Sequence, residues 1–407
     1  MRTIIFLGKF FPKSLIRTVV EDSKGKIGMS NHNFEMSIIN GLCAQKDIAL
    51  HCITIPGVYS FPHNNKRFIT PRESYKYKEA FIESISFVNL PIVKEILSTI
   101  GLAVKIVKVV RKCSGDRIDV IVNTPDNRLL RGLSLARYFI PKRMTQTVII
   151  PDVPSVMTQM SDKINPIKRL VLKCIDRAAM KMTSKSDGLV VLTEAMMDFF
   201  ECQIRHIVVE GLVDVDLLYD KYQVISNERE IILYCGTIRK IFGIMQLVEA
   251  FRCIDNCDVE LWICGSGDAR AEIEEAAKID TRIKFWGMVD SEKAKKLQSR
   301  ASILVNPRTS EGEYTKYSFP SKTMEYLLSG KSTIINRLPG IPEEYYEFVY
   351  IPKDESVEAL AECLSSVLSM ELEDRRKRAQ KGREFIVSNK NSQIQTKRIL
   401  DMINNYL

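Results

Sequence analysis

Residues 317–333 combine a short turn, a cation and a carboxylate at a spacing that suits phosphate and sugar recognition. The segment reads YSFPSKTMEYLLSGKST, so Lys322 and Glu325 lie on a predicted helix that begins after the SFPS turn. Unpaired backbone N–H groups at a helix start attract anions, and Lys322 would add a full positive charge there. Glu325 can accept hydrogen bonds from vicinal hydroxyls such as those of a ribose. The same residues also fit an ordinary helix start, with Ser321 as N-cap and Glu325 solvated.

Two further loops join a strand to a helix through glycine, an arrangement that is compatible with phosphate binding. The first, YCGTIRKIFGIMQLVEAF, carries Gly236, Arg239 and Lys240, and the second is WICGSGDARAEI. Neither loop matches the full dinucleotide or P-loop fingerprint, so hydride transfer and ATP hydrolysis have little local support. Taken with the first segment, these loops favour a nucleotide that is bound through its phosphates.

The elements that must position these loops are short β-branched runs that alternate with helix-like segments in both halves of the chain. TIIFLG and IDVIVNTP are examples from the first half, and EIILYCG and ASILVNP from the second. Their nearly continuous hydrophobicity is typical of parallel strands covered by helices on both faces. The predicted fold is therefore α/β, with two Rossmann-like doubly wound parallel-sheet domains facing a cleft, and ligands are expected beyond the carboxyl ends of the strands.

Length and composition limit the class of protein. A chain of 407 residues is long enough for two domains, each with its own core. The 10 cysteines have neither disulfide-framework nor zinc-ligand spacing, so we expect reduced thiols in a cytosolic protein. The start MRTIIFLGKF lacks signal-peptide features, and no apolar run reaches the roughly 20 residues that a spanning helix needs. The net charge of +9 fits an anionic partner: a phosphate, a nucleic acid or an anionic lipid surface.

In order and spacing, these blocks resemble the donor-binding domain of GT-B glycosyltransferases, most closely the retaining family 4 type. The resemblance is strong over residues 230–333 and weak elsewhere. It rests on CGTIRKIFGIMQLVEAF, ICGSGDARAEI, IKFWGMVDSEKAKKLQSRASILVNP and SFPSKTMEYLLSGKSTI, and the first half adds KIGMSNHNFEMSIINGL, which is similar to the family's first glycine loop. It implies an acceptor-side domain at 1–209, a hinge at 210–222, a nucleotide-sugar donor domain at 223–385 and a final helix, 386–407, that crosses back to the first domain.

The resemblance also assigns roles to single residues. Glu325 matches the second glutamate of the family's E-x7-E element, which holds the donor ribose, whereas Tyr317 replaces the first glutamate. This departure is similar to an "FPSK" variant of polysaccharide-assembly transferases. Ser318 and Phe319 then occupy the turn whose backbone meets the sugar and phosphates. The remaining donor-side matches are Val289, whose backbone would read the nucleobase, and Gly28, where the missing Cβ would admit the β-phosphate.

The family's usual cation pair is absent from the first glycine loop. Thr237 and Phe242 stand at those positions, so other cations must offset the charge that grows on a departing diphosphate. The candidates are Arg239, Lys240, Arg308 and Lys322, of which Lys240 and Lys322 are predicted to be catalytic together with Asp152.

The first domain supplies the other site candidates. Asp152 follows a strand near the place where the family has a residue beside the reacting sugar, although it also fits a plain turn cap. Asn31 and His32, in a polar segment, are acceptor-side candidates, with a solvated loop histidine as the alternative. Asp214 and Asp216 resemble the family's linker and not a metal site, so no metal and no cofactor beyond the nucleotide sugar are expected.

A basic helical stripe suggests a membrane surface. In LPIVKEILSTIGLAVKIVKVVRK, Lys94, Lys105, Lys108 and Lys112 share one helical face, and aliphatic residues fill the remaining circumference. This pattern fits a helix that lies on anionic lipid, but also a packed domain helix with a solvated lysine face. The segment NPIKRLVLKCIDRAAMKM adds a second basic helix. Nucleic acid is a weaker explanation, since no recognised binding module accompanies the charge.

The resemblance therefore predicts a retaining hexosyltransferase that moves a sugar from a nucleoside diphosphate, with UDP expected, to a glycan or polyprenyl-linked glycan. Its expected place is surface polysaccharide assembly, such as capsule or O-antigen, in the cytoplasm and peripherally on the inner face of the cell membrane. Two alternatives stay open: a nucleotide-sugar epimerase of the same architecture, and a non-catalytic protein that binds nucleotide sugars or membranes.

Overall fold

The computed structural model describes residues 2–22, 29–71, 74–113, 117–154, 156, 165–201, 203–214 and 229–405. Tertiary contacts divide the chain into two compact units, Met1–Leu212 with Ser392–Leu407 as unit 1 and Val213–Asn391 as unit 2. The structural divisions thus fall at 212/213 and 391/392. The predicted hinge was 210–222, and its residues 215–222, including Asp216, lie outside the described residues.

Unit 1 is built on an eight-stranded sheet with the strand order β10-β9-β8-β7-β1-β2-β5-β4. All neighbours in this sheet are parallel except β4, which is antiparallel to β5, and β3 and β6 form a separate antiparallel pair. The strands are β1 (Arg2–Gly8), β2 (Ile48–Thr54), β3 (Phe68–Ile69), β4 (Ser74–Tyr77), β5 (Ala80–Ser84), β6 (Phe87–Val88), β7 (Arg117–Asn123), β8 (Arg143–Ile150), β9 (Gly188–Val191) and β10 (His206–Val208).

Helices cover this sheet, as the apolar strands predict. The helices before the crossing to unit 2 are α1 (Lys13–Asp22), α2 (Met29–Cys43), α3 (Pro91–Lys112), α4 (Asn127–Arg137) and α5 (Pro166–Thr183). Successive residues of the central strand β1, from Ile4 to Leu7, are fully buried, so both faces of the sheet are covered. Helix α4 packs against both α3 and α5.

Unit 2 has a five-stranded parallel sheet with the order β13-β12-β11-β14-β15. Its strands are β11 (Glu230–Cys235), β12 (Val259–Cys264), β13 (Ile283–Gly287), β14 (Ile303–Asn306) and β15 (Ser332–Ile335). Its helices are α6 (Ile244–Arg252), α7 (Arg270–Ile279), α8 (Ser291–Arg300), α9 (Ser321–Leu328), α10 (Val357–Ser369) and α11 (Leu372–Asn389). The prediction of an α/β fold with two Rossmann-like parallel-sheet domains is confirmed. In the described residues, none of the helices has both the length and the hydropathy that crossing a membrane requires.

The last helix, α12 (Ser392–Asn404), belongs to unit 1 and packs against α2. The contact is tight because Gly41 has no side chain: a Cβ there would lie 2.2 Å from the backbone oxygen of Ser392. Gln45 reinforces the contact, since its Nε2 donates to the backbone oxygen of Gln393 at 2.9 Å. The last turn of α2 and the first turn of α12 thus meet with no room for an added methyl group.

We expect Gly41→Ala to destabilise unit 1. The new methyl group would overlap backbone atoms of Ser392, and overpacking of this kind costs about 1–3 kcal/mol. Gly101→Ala in α3 is the matched control, because its Cβ would meet only a side-chain methyl of Ile85, at 3.1 Å, and alanine favours the helix. Thermal unfolding of both variants is the measurement. Equal stability of Gly41→Ala and the wild type would contradict the described packing.

Candidate active site

The phosphate-compatible loops of unit 2 lie at one edge of its sheet. The strands β13, β12, β11 and β14 are neighbours in that order and parallel, so the loops after their carboxyl ends, at 287–290, 265–269, 236–243 and 307–320, share that edge. Backbone hydrogen bonds connect these loops: Gly236 N donates to Cys264 O at 2.9 Å, and Gly265 N donates to Gly287 O at 2.8 Å.

Two glycines allow the loops to approach one another. Gly265 has φ of +144°, and a Cβ there would lie 1.7 Å from the backbone oxygen of Gly236. A Cβ at Gly267 would lie 2.2 Å from the backbone oxygen of Ile238. Any side chain at either position would therefore force the loops apart.

Helix α9 presents the predicted carboxylate and cation together. Lys322 Nζ lies 3.1 Å from Glu325 Oε2, and Glu325 Oε1 accepts a hydrogen bond from Gln298 Nε2 at 2.7 Å. Gln298, on α8, is fully buried, whereas the Glu325 side chain is 37% exposed. The carboxylate is thus fixed from inside the unit and keeps lone pairs that can accept hydrogen bonds from a ligand.

Both members of this pair are charged. Burial by itself raises the pKa of Glu325, but the charge of Lys322 and the hydrogen bonds from Gln298 and Lys322 outweigh it, so the pKa lies below its ordinary value. Burial lowers the pKa of Lys322, and the nearby Glu325 carboxylate more than reverses this, so that pKa is raised. The Lys322 side chain passes close to Gly236, where a Cβ would lie 2.8 Å from Lys322 Cε.

Arg308 reaches the turn before α9. Its Nη2 donates to Ser318 Oγ at 2.9 Å, and its guanidinium lies 4.7 Å from the Tyr314 ring centroid and 5.2 Å from that of Phe242. Phe242 therefore helps to orient an arginine from another loop. Phe319, next in the turn, is buried against Tyr345 with ring centroids 5.3 Å apart, so its side chain is not available to a ligand.

The other two predicted cations, Arg239 and Lys240, point to acidic residues of the loop at 265–269 and of α7. Lys240 pairs with Glu272, and its backbone N donates to Asp268 Oδ1 at 2.8 Å. The Glu272 carboxylate holds the pKa of Lys240 above its ordinary value. Arg239 Nε lies 3.9 Å from Asp268 Oδ2. The structure therefore groups Lys322 and Arg308 with the turn before α9, and Lys240 with α7.

Val289 packs with the aromatic cluster at the end of β13. It lies against the core cluster that contains Trp262, and Trp262 meets Trp286 edge to face with centroids 5.3 Å apart. The role of Val289 in reading a nucleobase stays a prediction. Among the described residues, no group of three or more histidine, cysteine, aspartate or glutamate side chains is placed to hold a metal ion.

In unit 1 the predicted environment of His32 is wrong. The segment MSNHNF was expected to be a polar loop, but α2 begins at Met29 and turns His32 inward, where it is 8% exposed. His32 Nδ1 accepts a hydrogen bond from Phe11 N at 3.2 Å, and burial lowers the pKa of the imidazole. His32 therefore supports the loop after β1, while Asn31, its neighbour in the first turn, is exposed.

Glu35, which was not predicted from the sequence, anchors the same loop. Its Oε2 accepts hydrogen bonds from Lys9 N at 2.8 Å and Phe10 N at 2.9 Å, and its Oε1 accepts one from Asn123 Nδ2 at 2.9 Å. Burial raises the pKa of Glu35 to about 7, although these hydrogen bonds and the charge of Lys9 oppose the shift. A lone glutamate on a mostly apolar helix face was the only signal in the sequence.

Of the remaining candidates, Asp152 lies two residues beyond β8 and is partly buried, and its role stays a prediction. Gly28 lies outside the described residues.

The assignment of Lys94 to a membrane surface is wrong. Lys94 is 5% exposed, and its Nζ donates to Val58 O at 2.5 Å, because this side of α3 faces the domain interior. Lys105 pairs with Glu83 at 2.8 Å, whereas Lys108 and Lys112 are exposed.

Comparisons with known proteins bear on this geometry. Residues 229–370 match the family model described as glycosyl transferases group 1. Comparison with curated protein sequences gives no match. Among solved structures, sucrose-phosphate synthase from Thermosynechococcus elongatus is similar over 99% of each chain, with 16% identity and a TM-score of 0.64. An α,α-trehalose-phosphate synthase (UDP-forming) from Burkholderia vietnamiensis covers 100% of this chain and 99% of its own, with 10% identity and a TM-score of 0.63. A glycosyltransferase from Rickettsia africae covers 100% and 98%, with 15% identity and a TM-score of 0.60.

At these identities the solved structures show the fold, which is the GT-B fold predicted from the sequence. The family match falls on unit 2 and includes the loops at 236–243 and 307–320 and the Lys322–Glu325 pair. With this fold, the family match supports a glycosyltransferase.

The buried Glu35 predicts a specific pH dependence of stability. Its pKa rises from 4.5 to about 7 on folding, so it contributes stability below pH 4.5 that is lost as the pH rises through 7. That shift corresponds to about 3 kcal/mol. Glu35→Gln keeps the side-chain size without the ionisation, so we expect the thermal midpoint of the variant to fall less than that of the wild type between about pH 5 and pH 8. Parallel pH profiles of the two proteins would contradict this prediction.

Proposed function

Unit 2 contains a glycosyl transferases group 1 match, and on that premise we propose that the chain transfers a sugar from a nucleoside-diphosphate sugar to a glycan or lipid-linked glycan. The observation that carries the proposal is the Lys322–Glu325 pair at the start of α9, fixed by the buried Gln298 and bordered by glycine loops. The donor is taken to be UDP-linked, since the Burkholderia vietnamiensis neighbour with this fold is described as UDP-forming.

The proposed site recognises the donor through hydrogen bonds to the ribose and through positive charge beside the diphosphate. The Glu325 carboxylate accepts hydrogen bonds from the ribose hydroxyls, and its low pKa keeps it ionised for this purpose. The diphosphate is held by Lys322, by Arg308 beside Ser318 and by the backbone N–H groups at the start of α9, which has no side-chain cap. We propose that these fixed cations take the charge-compensating role, without a metal ion or a further cofactor.

The reaction follows from where charge develops. The bond between the anomeric carbon and the diphosphate oxygen breaks, a bond from that carbon to the acceptor hydroxyl oxygen forms, and the hydroxyl proton passes to the departing phosphate. Negative charge grows on the diphosphate in this step, so cations already in place stabilise the transition state more than the bound donor. Retention of the anomeric configuration and the departing phosphate as base are parts of the proposal that rest on the family 4 resemblance.

The biological setting is also a proposal. The FPSK sequence at 319–322 is similar to that of polysaccharide-assembly transferases, and we therefore place the reaction in capsular or O-antigen polysaccharide synthesis. A polyprenyl-linked acceptor would bring the enzyme to the inner face of the cell membrane as a peripheral protein.

Turnover tests the activity directly. The purified chain is incubated with a panel of nucleotide sugars and glycan acceptors, and both released nucleotide and glycosylated product are measured. Acceptor-dependent product with an unchanged anomeric configuration is the expected result. Appearance of an epimer from the donor alone would replace the proposal with an epimerase, and donor binding without turnover of any acceptor would replace it with a non-catalytic binding protein.

Donor affinity tests the site. We expect Glu325→Ala to weaken binding of the preferred nucleotide sugar roughly 10- to 100-fold, because hydrogen bonds to a charged group contribute about 1.5–3 kcal/mol. Glu292→Ala on α8 is the matched control, since its carboxylate forms an exposed pair with Lys296. Gln298→Leu should weaken binding by a smaller factor because it removes only the support of Glu325. Calorimetric titration measures all three, and unchanged affinity of a folded Glu325→Ala variant would refute the site assignment.

A further inference from the structure

Helix α3 exposes an aliphatic face that no part of the described chain covers. Its outward residues are between 39% and 76% exposed, and they are Ile92, Val93, Ile96, Leu97, Ile100 and Val104. Positions 93, 97, 100 and 104 alternate steps of four and three residues, so they form a straight stripe along the helix. The opposite side, with Leu102, Ile106 and Val110, is buried. Helix α3 is therefore apolar on the side that packs into unit 1 and also on the side that faces solvent.

Helix α5 repeats this pattern. Ile167, Leu170, Val171 and Ile175, all within its first ten residues, are between 46% and 75% exposed. Helix α4 lies between the two helices, since it packs against both, and Asn127 Nδ2 donates to Ile175 O at 2.9 Å. The two aliphatic surfaces thus belong to neighbouring parts of one helical layer in unit 1.

Cations follow the aliphatic residues along both helices. Lys108, Arg111 and Lys112 are exposed at the end of α3, and Lys173, Arg177 and Lys181 are exposed on α5. Glu95 is the exposed acidic residue on the described parts of these two helices. The surface therefore combines apolar side chains with a strong excess of positive charge.

The positive charge of this surface indicates which kind of partner could cover it. A second copy of the chain would place the same cations against one another, and the chain as a whole carries +9, so self-association is opposed by like charges. An anionic lipid surface matches both properties, because aliphatic side chains enter the boundary between headgroups and acyl chains while lysine and arginine remain at the headgroups.

We propose that the outward faces of α3 and α5, called here the lipid-facing surface, dock unit 1 on an anionic bilayer by insertion of aliphatic side chains. This differs from the lysine stripe predicted from the sequence, because Lys94 is buried and the apolar residues occupy the outside. The inference rests on the proposed function only in so far as membrane docking would serve a lipid-linked acceptor.

Vesicle binding tests the proposal with the full chain. The wild type should co-sediment with vesicles of mixed phosphatidylglycerol and phosphatidylcholine, and Ile96→Gln/Ile100→Gln should weaken this binding roughly tenfold or more. At about 1 M salt, charges are screened beyond about 3 Å. Part of the wild-type binding should persist there through the aliphatic side chains, whereas the residual binding of Ile96→Gln/Ile100→Gln should vanish. Lys108→Glu/Lys112→Glu should lose mainly the salt-sensitive part.

Ile279→Gln is the matched control, since Ile279 is 69% exposed on α7 of unit 2 and should leave vesicle binding unchanged. Vesicle binding by Ile96→Gln/Ile100→Gln equal to that of the wild type, or none by the wild type, would overturn the proposal. A wild-type dimer that this variant dissociates, without vesicle binding, would assign the surface to a second copy. Nucleotide-sugar affinity without vesicles is measured for every variant, so that a failure of the proposed donor chemistry is seen separately.

Discussion

The candidate site depends on the close approach of backbone segments that have no side chains between them. At the edge of the second sheet, the backbone around Gly265 and Gly267 comes so near to Gly236 and Ile238 that a single methyl group would not fit. This contact sets the loop after β11 against the loop after β12, and it leaves room for Lys322 to extend beside Gly236. The cation and carboxylate of α9 therefore take their positions from a backbone arrangement that the strand register fixes.

The two units use glutamate in opposite ways. Glu35 is fully buried beneath the loop after β1, where burial outweighs three hydrogen bonds and raises its pKa to about 7. Glu325 lies partly exposed beside Lys322, whose charge outweighs burial and lowers its pKa. The Glu35 carboxylate therefore holds backbone amides in place, whereas the Glu325 carboxylate stays charged and partly exposed to solvent.

Much of the architecture could be predicted from the sequence, because continuous β-branched runs identify buried parallel strands wherever they occur. The Lys322–Glu325 spacing likewise placed both residues on one helix face. The predicted environment of Lys94 was wrong because helical periodicity gives the angle between side chains but not the direction of the sheet. That of His32 was wrong because its polar segment was expected to be a loop, whereas it forms the first turns of α2. Gln298 and Glu35 were missed because their partners, Glu325 and the amides of Lys9 and Phe10, lie far from them in sequence.

The membership of α12 in unit 1 has a consequence for biosynthesis. During translation the strands of unit 1 leave the ribosome first, followed by all of unit 2, and the helix that covers α2 at Gly41 comes only after them. Until then the face of α2 that receives α12 stays open to water while the nascent chain already contains the rest of the sheet. Unit 2 is continuous in sequence, so it can finish folding before α12 completes unit 1.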